Sequence, residues 1–455
     1  MREVKYWLVR FIPVTIVCCL IGFSCTQYKI PDYSDVASCQ GCHTNYAHLK
    51  EVYTPDTVAP VGGCGGEAPH YEPYDRVYLG GDGYDDFKKD YGHGGLACTK
   101  CHNGVNGTHE KELAHSGDFI KHPSALHEKK CDPCHSVDPK LADISEHFMT
   151  SLHNGTGQKR KVTMRMGLDG PQDFDQLPEH QIEGYNANCA TCHGTCGNCH
   201  VNRPPIAGGG LANGHKFTKN PDMVSICVSC HTSRGGHAYL GVASGTVPDI
   251  HLTKAGYECL DCHSGAELHG NGDSTVMHRY AYSELPTCEE CHSDIAESNT
   301  YHSQHMGDFN CQVCHSQDYN NCGSCHIHLE GARVSSYMDY KIAKNPIPEN
   351  RDFEFALVRR TLAAPDNWEA YGVDEYPEFE SFPTYNFTTP HNIQLITART
   401  DVGGGDCSSN CHIRMEGDSM VNKDLYLFDE NLLDWEKTAS ASIVVDGALP
   451  TSWFE

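Results

Sequence analysis

The stretch Cys189-Ala-Thr-Cys192-His193-Gly-Thr-Cys196-Gly-Asn-Cys199-His200 contains two copies of Cys-x-x-Cys-His separated by two residues. This pentapeptide is an attachment signal for c-type haem. Thiols at i and i+3 of one helical turn point to the same side and can form thioethers with a porphyrin's two vinyl groups. The His at i+4 lies on that side too, so its imidazole can reach the iron as proximal ligand. Cys192 and Cys196 are four residues apart, at most about 14 Å in a fully extended chain. Two cofactors fixed that closely suit electron passage between them.

Eight more copies flank this pair, making ten. In chain order they are Cys39, Cys42 and His43; Cys98, Cys101 and His102; Cys131, Cys134 and His135; Cys189, Cys192 and His193; Cys196, Cys199 and His200. They continue with Cys227, Cys230 and His231; Cys259, Cys262 and His263; Cys288, Cys291 and His292; Cys311, Cys314 and His315; Cys322, Cys325 and His326. In a chain of 455 residues with 26 Cys and 30 His, chance supplies roughly 0.1 copies. Zinc and iron–sulfur sites also use Cys-x-x-Cys pairs, but neither needs a His after every second Cys. An irregular copy, Cys407-Ser-Ser-Asn-Cys411-His412, has three residues between its cysteines. It reads as an eleventh attachment site, with a local disulfide beside a free His as the alternative.

The eleven motif histidines leave nineteen others. A histidine commonly precedes a motif by a few residues, as His93 precedes Cys98 and His251 precedes Cys259. As a set the spare histidines read as second axial ligands, although any one could be a surface or propionate-pairing residue. The candidates are His93, His127, His153, His180, His215, His237, His251, His269, His278, His305 and His391. Which histidine serves which iron is not legible, because a distal ligand can come from far along the chain.

Hydrophobic residues make up 39% of the chain and mean hydropathy is −0.50, so an ordinary apolar core is thin. Apolar porphyrin rings can act as local cores for short segments. The expected fold is mainly α and irregular: short helices and loops wrapped around a chain of covalently bound haems, with little β-sheet. A formal net charge of −26 argues against nucleic acid as a partner.

Residues 1–24 read as an export signal, with Arg2, Lys5 and Arg10 ahead of the apolar run from Phe11 to Phe23. Ser24-Cys25 resembles a loose bacterial lipobox, which would make Cys25 a lipidated first residue; a plain cleaved signal and an uncleaved anchor are the alternatives. Membrane contact is then expected through the lipid anchor only. Residues 25–335 form the expected multihaem domain and 336–455 a C-terminal wrapping segment carrying the irregular motif. Within the latter, the acidic and aromatic stretch 349–380 reads as an extended arm or a docking surface. Cys64, between glycine pairs, is an unpaired or disulfide-linked thiol or a thiolate near an iron. The basic run Gln158-Lys-Arg-Lys161, with Arg165, pairs with haem propionates, lies on a solvated loop or admits an anion.

On these motifs, residues 39–326 and onward to 412 resemble the multihaem c-type cytochromes. The resemblance implies haem attachment after export, hence a periplasmic, outer-membrane or cell-surface lipoprotein. It implies bis-His haems in close-packed chains and an electron conduit to other redox proteins, extracellular acceptors or further copies in a filament. The alternative is an oxidoreductase acting on a small nitrogen or sulfur oxyanion at one haem with an open distal side. Some such enzymes carry Lys after the second Cys of the catalytic motif; all eleven motifs here end in His. Candidates for that site are His412, the cluster ending at Arg165, and Cys64.

Overall fold

The computed structural model describes residues 37–57, 70–90, 92–154, 165–168, 171–188, 190–243, 245–276, 278–319, 339–360, 365–366, 368–401, 403 and 408–454. The expected export signal (1–24), Cys25, Cys64, the run 158–161, Cys189, Cys407 and the motif from Cys322 to His326 lie outside these residues. The fold is mainly helical and irregular with few strands. Among the described residues no helix is long and apolar enough to cross a membrane.

From residue 37 to 319 the chain runs through helices of one to three turns joined by loops. Most regular motifs form a single helical turn that begins at or just after the first Cys. Several are capped from within the motif. Thr195 precedes Cys196–His200, and its backbone N–H donates to Asn198 Oδ1 at 2.9 Å. Glu258 N donates to Asp261 Oδ2 at 2.7 Å ahead of Cys259–Cys262, and Thr287 N donates to Glu290 Oε1 at 3.3 Å ahead of Cys288. Ser38 caps Cys39–Thr44 by accepting from Gly41 N. A cap of this kind contributes about 1 kcal/mol, useful for helices too short to stand alone.

Beyond residue 339 the architecture changes. Strands β1 (Tyr340–Lys344), β2 (Phe355–Arg360) and β3 (Tyr385–Phe387) form an antiparallel sheet in that order. Ile342 pairs with Leu357, and Val358 with Phe387. A separate hairpin joins β4 (Arg414–Glu416) to β5 (Ser419–Val421). Every residue of β2 is buried, as its sequence Phe-Ala-Leu-Val-Arg-Arg suits a strand covered on both faces. Its two arginines are accommodated rather than exposed: Arg360 forms a two-pronged ion pair with the fully buried Glu436 and reaches Asp339 at 3.1 Å.

The stretch 349–380 is therefore not an extended arm. Its charges lie mostly at the rim, while Phe355, Leu357, Trp368, Tyr376 and Phe379 point inward. Each of the four apolar clusters draws on residues beyond 340. The sheet is fastened to the last described regular motif. Leu357 N donates to Asn310 Oδ1 at 2.9 Å and Gln394 N to His315 O at 2.8 Å. Arg399 Nη2 donates to Ser316 O at 2.7 Å.

Candidate functional site: a string of facing histidines

Nine of the ten described motif histidines stand opposite a second imidazole. The ring-centre separations are 6.1 Å for His43 and His115, 6.1 Å for His102 and His215, and 5.9 Å for His135 and His93. They are 6.2 Å for His200 and His269, 6.2 Å for His231 and His153, and 6.0 Å for His263 and His391. The remaining three are 6.1 Å for His292 and His251, 6.1 Å for His315 and His302, and 6.2 Å for His412 and His305.

This narrow spacing has a physical meaning. Two metal–nitrogen bonds of about 2 Å, plus roughly 1.1 Å from each nitrogen to its ring centre, give about 6.2 Å. Ring–ring attraction would instead select the angle between planes and allow separations of 4.5–7 Å. Here the interplanar angle ranges from 20° to 83° while the separation hardly moves. Free rotation about a nitrogen–metal–nitrogen axis gives that combination. The residues therefore fit a bis-imidazole iron. His and Cys meet in facing pairs; among the described residues no group of three or more metal-ligating side chains converges as a tetrahedral zinc site would require.

The imidazoles are also oriented for ligation. His43 Nδ1 donates to Val77 O at 3.0 Å, His102 Nδ1 to Ile120 O at 2.9 Å and His200 Nδ1 to Thr218 O at 2.6 Å. Facing rings are held likewise: His115 Nδ1 by Lys111 O at 2.8 Å, His93 Nδ1 by Asp90 at 2.9 Å and His251 Nδ1 by Asp249 at 2.9 Å. Fixing the proton on Nδ1 leaves Nε2 as the lone-pair nitrogen, as second-shell partners of metal-bound histidines do. Burial pushes His231 down to about 3 and His215 and His391 to about 4, which keeps them neutral at ordinary pH. His215 adopts a left-handed backbone (φ 72), uncommon for a non-glycine residue, and is hemmed in by Phe87 at 4.8 Å and Phe217 at 5.5 Å.

The eight motif histidines from His43 to His292 line one continuous cavity of about 3890 Å³. Single-ligand pockets usually measure about 300–1,000 Å³, so this one is sized for several large groups. Thiols of neighbouring motifs lie near enough to influence one another electrostatically. Cys39 lies beside Cys98, Cys101 beside Cys134, and Cys131 beside Cys196. Cys227 lies beside Cys199 and Cys259; Cys262 lies beside Cys291, and Cys288 beside Cys311. Tyr426 links Cys314 to Cys411. Among the described motifs the order along the molecule thus follows the order along the sequence, apart from the motif that ends at His193.

Seven of the eleven distal candidates stand opposite a motif histidine: His93, His153, His215, His251, His269, His305 and His391. The nine pairs do not include His127, His180, His237 or His278. His127 is engaged at both nitrogens, by Asp132 and Ser145 on one side and Met149 Sδ at 2.9 Å on the other. His180 lies against Gly372, where an added Cβ would come within 2.9 Å of its Nε2. His237 begins the short helix His237–Tyr239, and His278 packs against the Tyr280 ring at 6.4 Å. Conversely, His115 and His302 face motif rings although neither was singled out from sequence. His302 could have been found, since it precedes Cys311 just as His305 does. His115 had no signal, being 72 residues from His43. The upstream position also misleads about the partner: His93 precedes Cys98 yet faces His135.

Comparison with protein-family models, with characterised proteins and with solved structures returns no match to this chain.

Proposed function

We propose that this chain is a multihaem c-type cytochrome that carries electrons by hopping along a line of bis-His haems. The observation that carries the reading is the set of nine imidazole pairs at 5.9–6.2 Å, each containing one motif histidine. Bound haem supplies one-electron iron chemistry. The chain's part is to hold each ring pair with Nε2 inward and bring successive thioether edges together. Two imidazoles per iron favour electron transfer over substrate binding, because both axial positions are taken. Ten regular motifs and the irregular one give eleven haems; His412, facing His305 like a regular motif histidine, supports the eleventh. We read the protein as exported and anchored by lipid at Cys25, with redox proteins, extracellular acceptors or further copies as partners.

Intact-protein mass spectrometry of the exported chain tests this directly. Eleven haem additions and lipid on Cys25 are expected; a haem-free, folded protein would sink the reading. A second check is His302→Met. Exchanging an imidazole for a thioether raises a haem's potential, so one component of the redox titration should move upward with the haem count unchanged.

An oxidoreductase remains the second reading, favoured by one observation: no imidazole among the described residues faces His193.

A further inference from the structure

Resting on the haem reading above, we propose that Asp249, Glu267 and Asp90 give their haem sites the lowest potentials in the line, so that an electron on the Cys288 site runs downhill to the Cys311 site. The basis is the group to which each axial imidazole donates its Nδ1 proton. Many of these rings meet a neutral backbone carbonyl, as His315 meets Gln394 O at 3.1 Å and His153 meets Leu268 O at 3.2 Å. Three meet a carboxylate instead. His251 Nδ1 donates to Asp249 Oδ1 at 2.9 Å, His263 Nδ1 to Glu267 Oε2 at 2.8 Å and His93 Nδ1 to Asp90 Oδ2 at 2.9 Å. Through their ring pairs they serve the Cys288, Cys259 and Cys131 sites in that order.

A carboxylate draws the Nδ1 proton toward itself and makes the imidazole a stronger donor to iron. Oxidised iron gains more from that than reduced iron, so the potential falls. Burial sets how far, because water and salt screen an exposed charge. The Asp249 side chain is 2% exposed and that of Glu267 12%, against 35% for Asp90. The order of effect is therefore Asp249, Glu267, Asp90. The first two act on neighbouring sites. Asp249 Oδ2 also accepts from Ile393 N at 2.7 Å, two residues beyond His391, the ring that faces His263. One buried carboxylate thus ties a ligand of the Cys288 site to a ligand of the Cys259 site, and the two form a low-potential pair.

The next site is built the other way. Cys311 Sγ lies 3.9 Å from Glu289 Oε1, inside the Cys288 motif, so the two sites adjoin. The Glu289 charge falls on both and does not separate them. At the Cys311 site His302 faces His315, and His302 Nδ1 meets neutral groups. It donates to Ser298 Oγ at 2.7 Å, and that hydroxyl in turn donates to Ile295 O at 2.7 Å. Asn299 Nδ2 lies 3.0 Å from the same Nδ1. The amide is fixed in that orientation, because Asn299 Oδ1 accepts from Tyr301 N and His302 N at 3.0 Å each. With a hydroxyl behind one ring and a carbonyl behind the other, this iron has weaker donors than its neighbour and is easier to reduce.

The test is a redox titration of full-length, haem-loaded protein, with haem mass and the low-spin spectrum recorded for each variant. Asp249 also caps the helix Ile250–Ala255, so the variant is Asp249→Asn, which keeps a capping oxygen and removes the charge. One component should become about tenfold easier to reduce, the worth of a charge-assisted contact over a neutral one, or about 59 mV upward for one electron. Glu267→Gln should move a second component the same way by less, and Asp90→Asn a third by less again. Ser298→Asp should move downward the component that His302→Met raises, a shift that a merely structural role for these side chains would not produce. Fully loaded, low-spin protein whose components stay in place in Asp249→Asn and Glu267→Gln would overturn the inference. So would an upward or absent shift in fully loaded Ser298→Asp. A low haem mass in the unaltered chain would instead count against the cytochrome reading itself.

Discussion

Around Cys98 to His135 the interior of the chain is made of imidazoles and thiols, whereas around Ile342 and Leu357 it is made of aliphatic and aromatic side chains. The first region spans residues 37–319. Its helices are one to three turns long, its motif histidines line a cavity, and the apolar clusters it joins are completed by residues beyond 340. The second spans residues 339–454 and buries a strand on both faces. The contrast indicates where stability resides. Short capped helices bury too little surface to offset their conformational entropy, so on the proposed reading the first region depends on haem to fill the cavity. The sheet region closes its own core, and through Asn310 and Arg399 it braces the Cys311 motif.

The sharpest way to break this contrast is to withhold haem. Chain made without covalent attachment should lose amide protection throughout 37–319, while β1 to β3 stay protected in hydrogen-exchange mass spectrometry. A protected motif region would show that protein contacts alone fold it.

Within the sheet region, Glu436→Gln leaves Arg360 buried with its charge only partly met. A loss of about 3–4 kcal/mol is expected, read from denaturant midpoints followed by tryptophan fluorescence, with haem mass unaltered. Leu357→Ala removes a nearly fully buried side chain and should cost about 3 kcal/mol in the same assay. If either variant also lost haem from early motifs such as Cys39 or Cys98, the regions would be energetically fused. The smallest effect belongs to Asn198→Ala. It removes the Oδ1 that accepts from Thr195 N, for about 1 kcal/mol, and should speed exchange locally at Cys196–His200 while leaving the sheet unchanged.

Part of this site was legible because covalent chemistry fixes local spacing. Cys-x-x-Cys-His sets thiols and imidazole on one face of one turn, so these positions follow from the sequence whatever lies around them. The facing ligands obey no such rule. His391 meets His263 across 128 residues, and the helix Thr300–His305 sends His302 to one motif and His305 to another. His127, placed plausibly ahead of Cys131, is drawn instead into contacts with Asp132, Ser145 and Met149. The sheet was obscured for a different reason. In 349–380 charged and apolar residues are interleaved in nearly equal numbers, and the register of β2 against β1 shows which elements close the core.

Sequence by itself determined the Cys-x-x-Cys-His motifs, their number and, where described, the helical turns that present them, because these depend on residues within five positions of each other. Tertiary structure alone decided which imidazole faces which and that, among the described residues, no imidazole faces His193. Those relations depend on how distant segments pack, and pairing at a fixed separation of about 6 Å is a property of the folded chain rather than of any stretch within it.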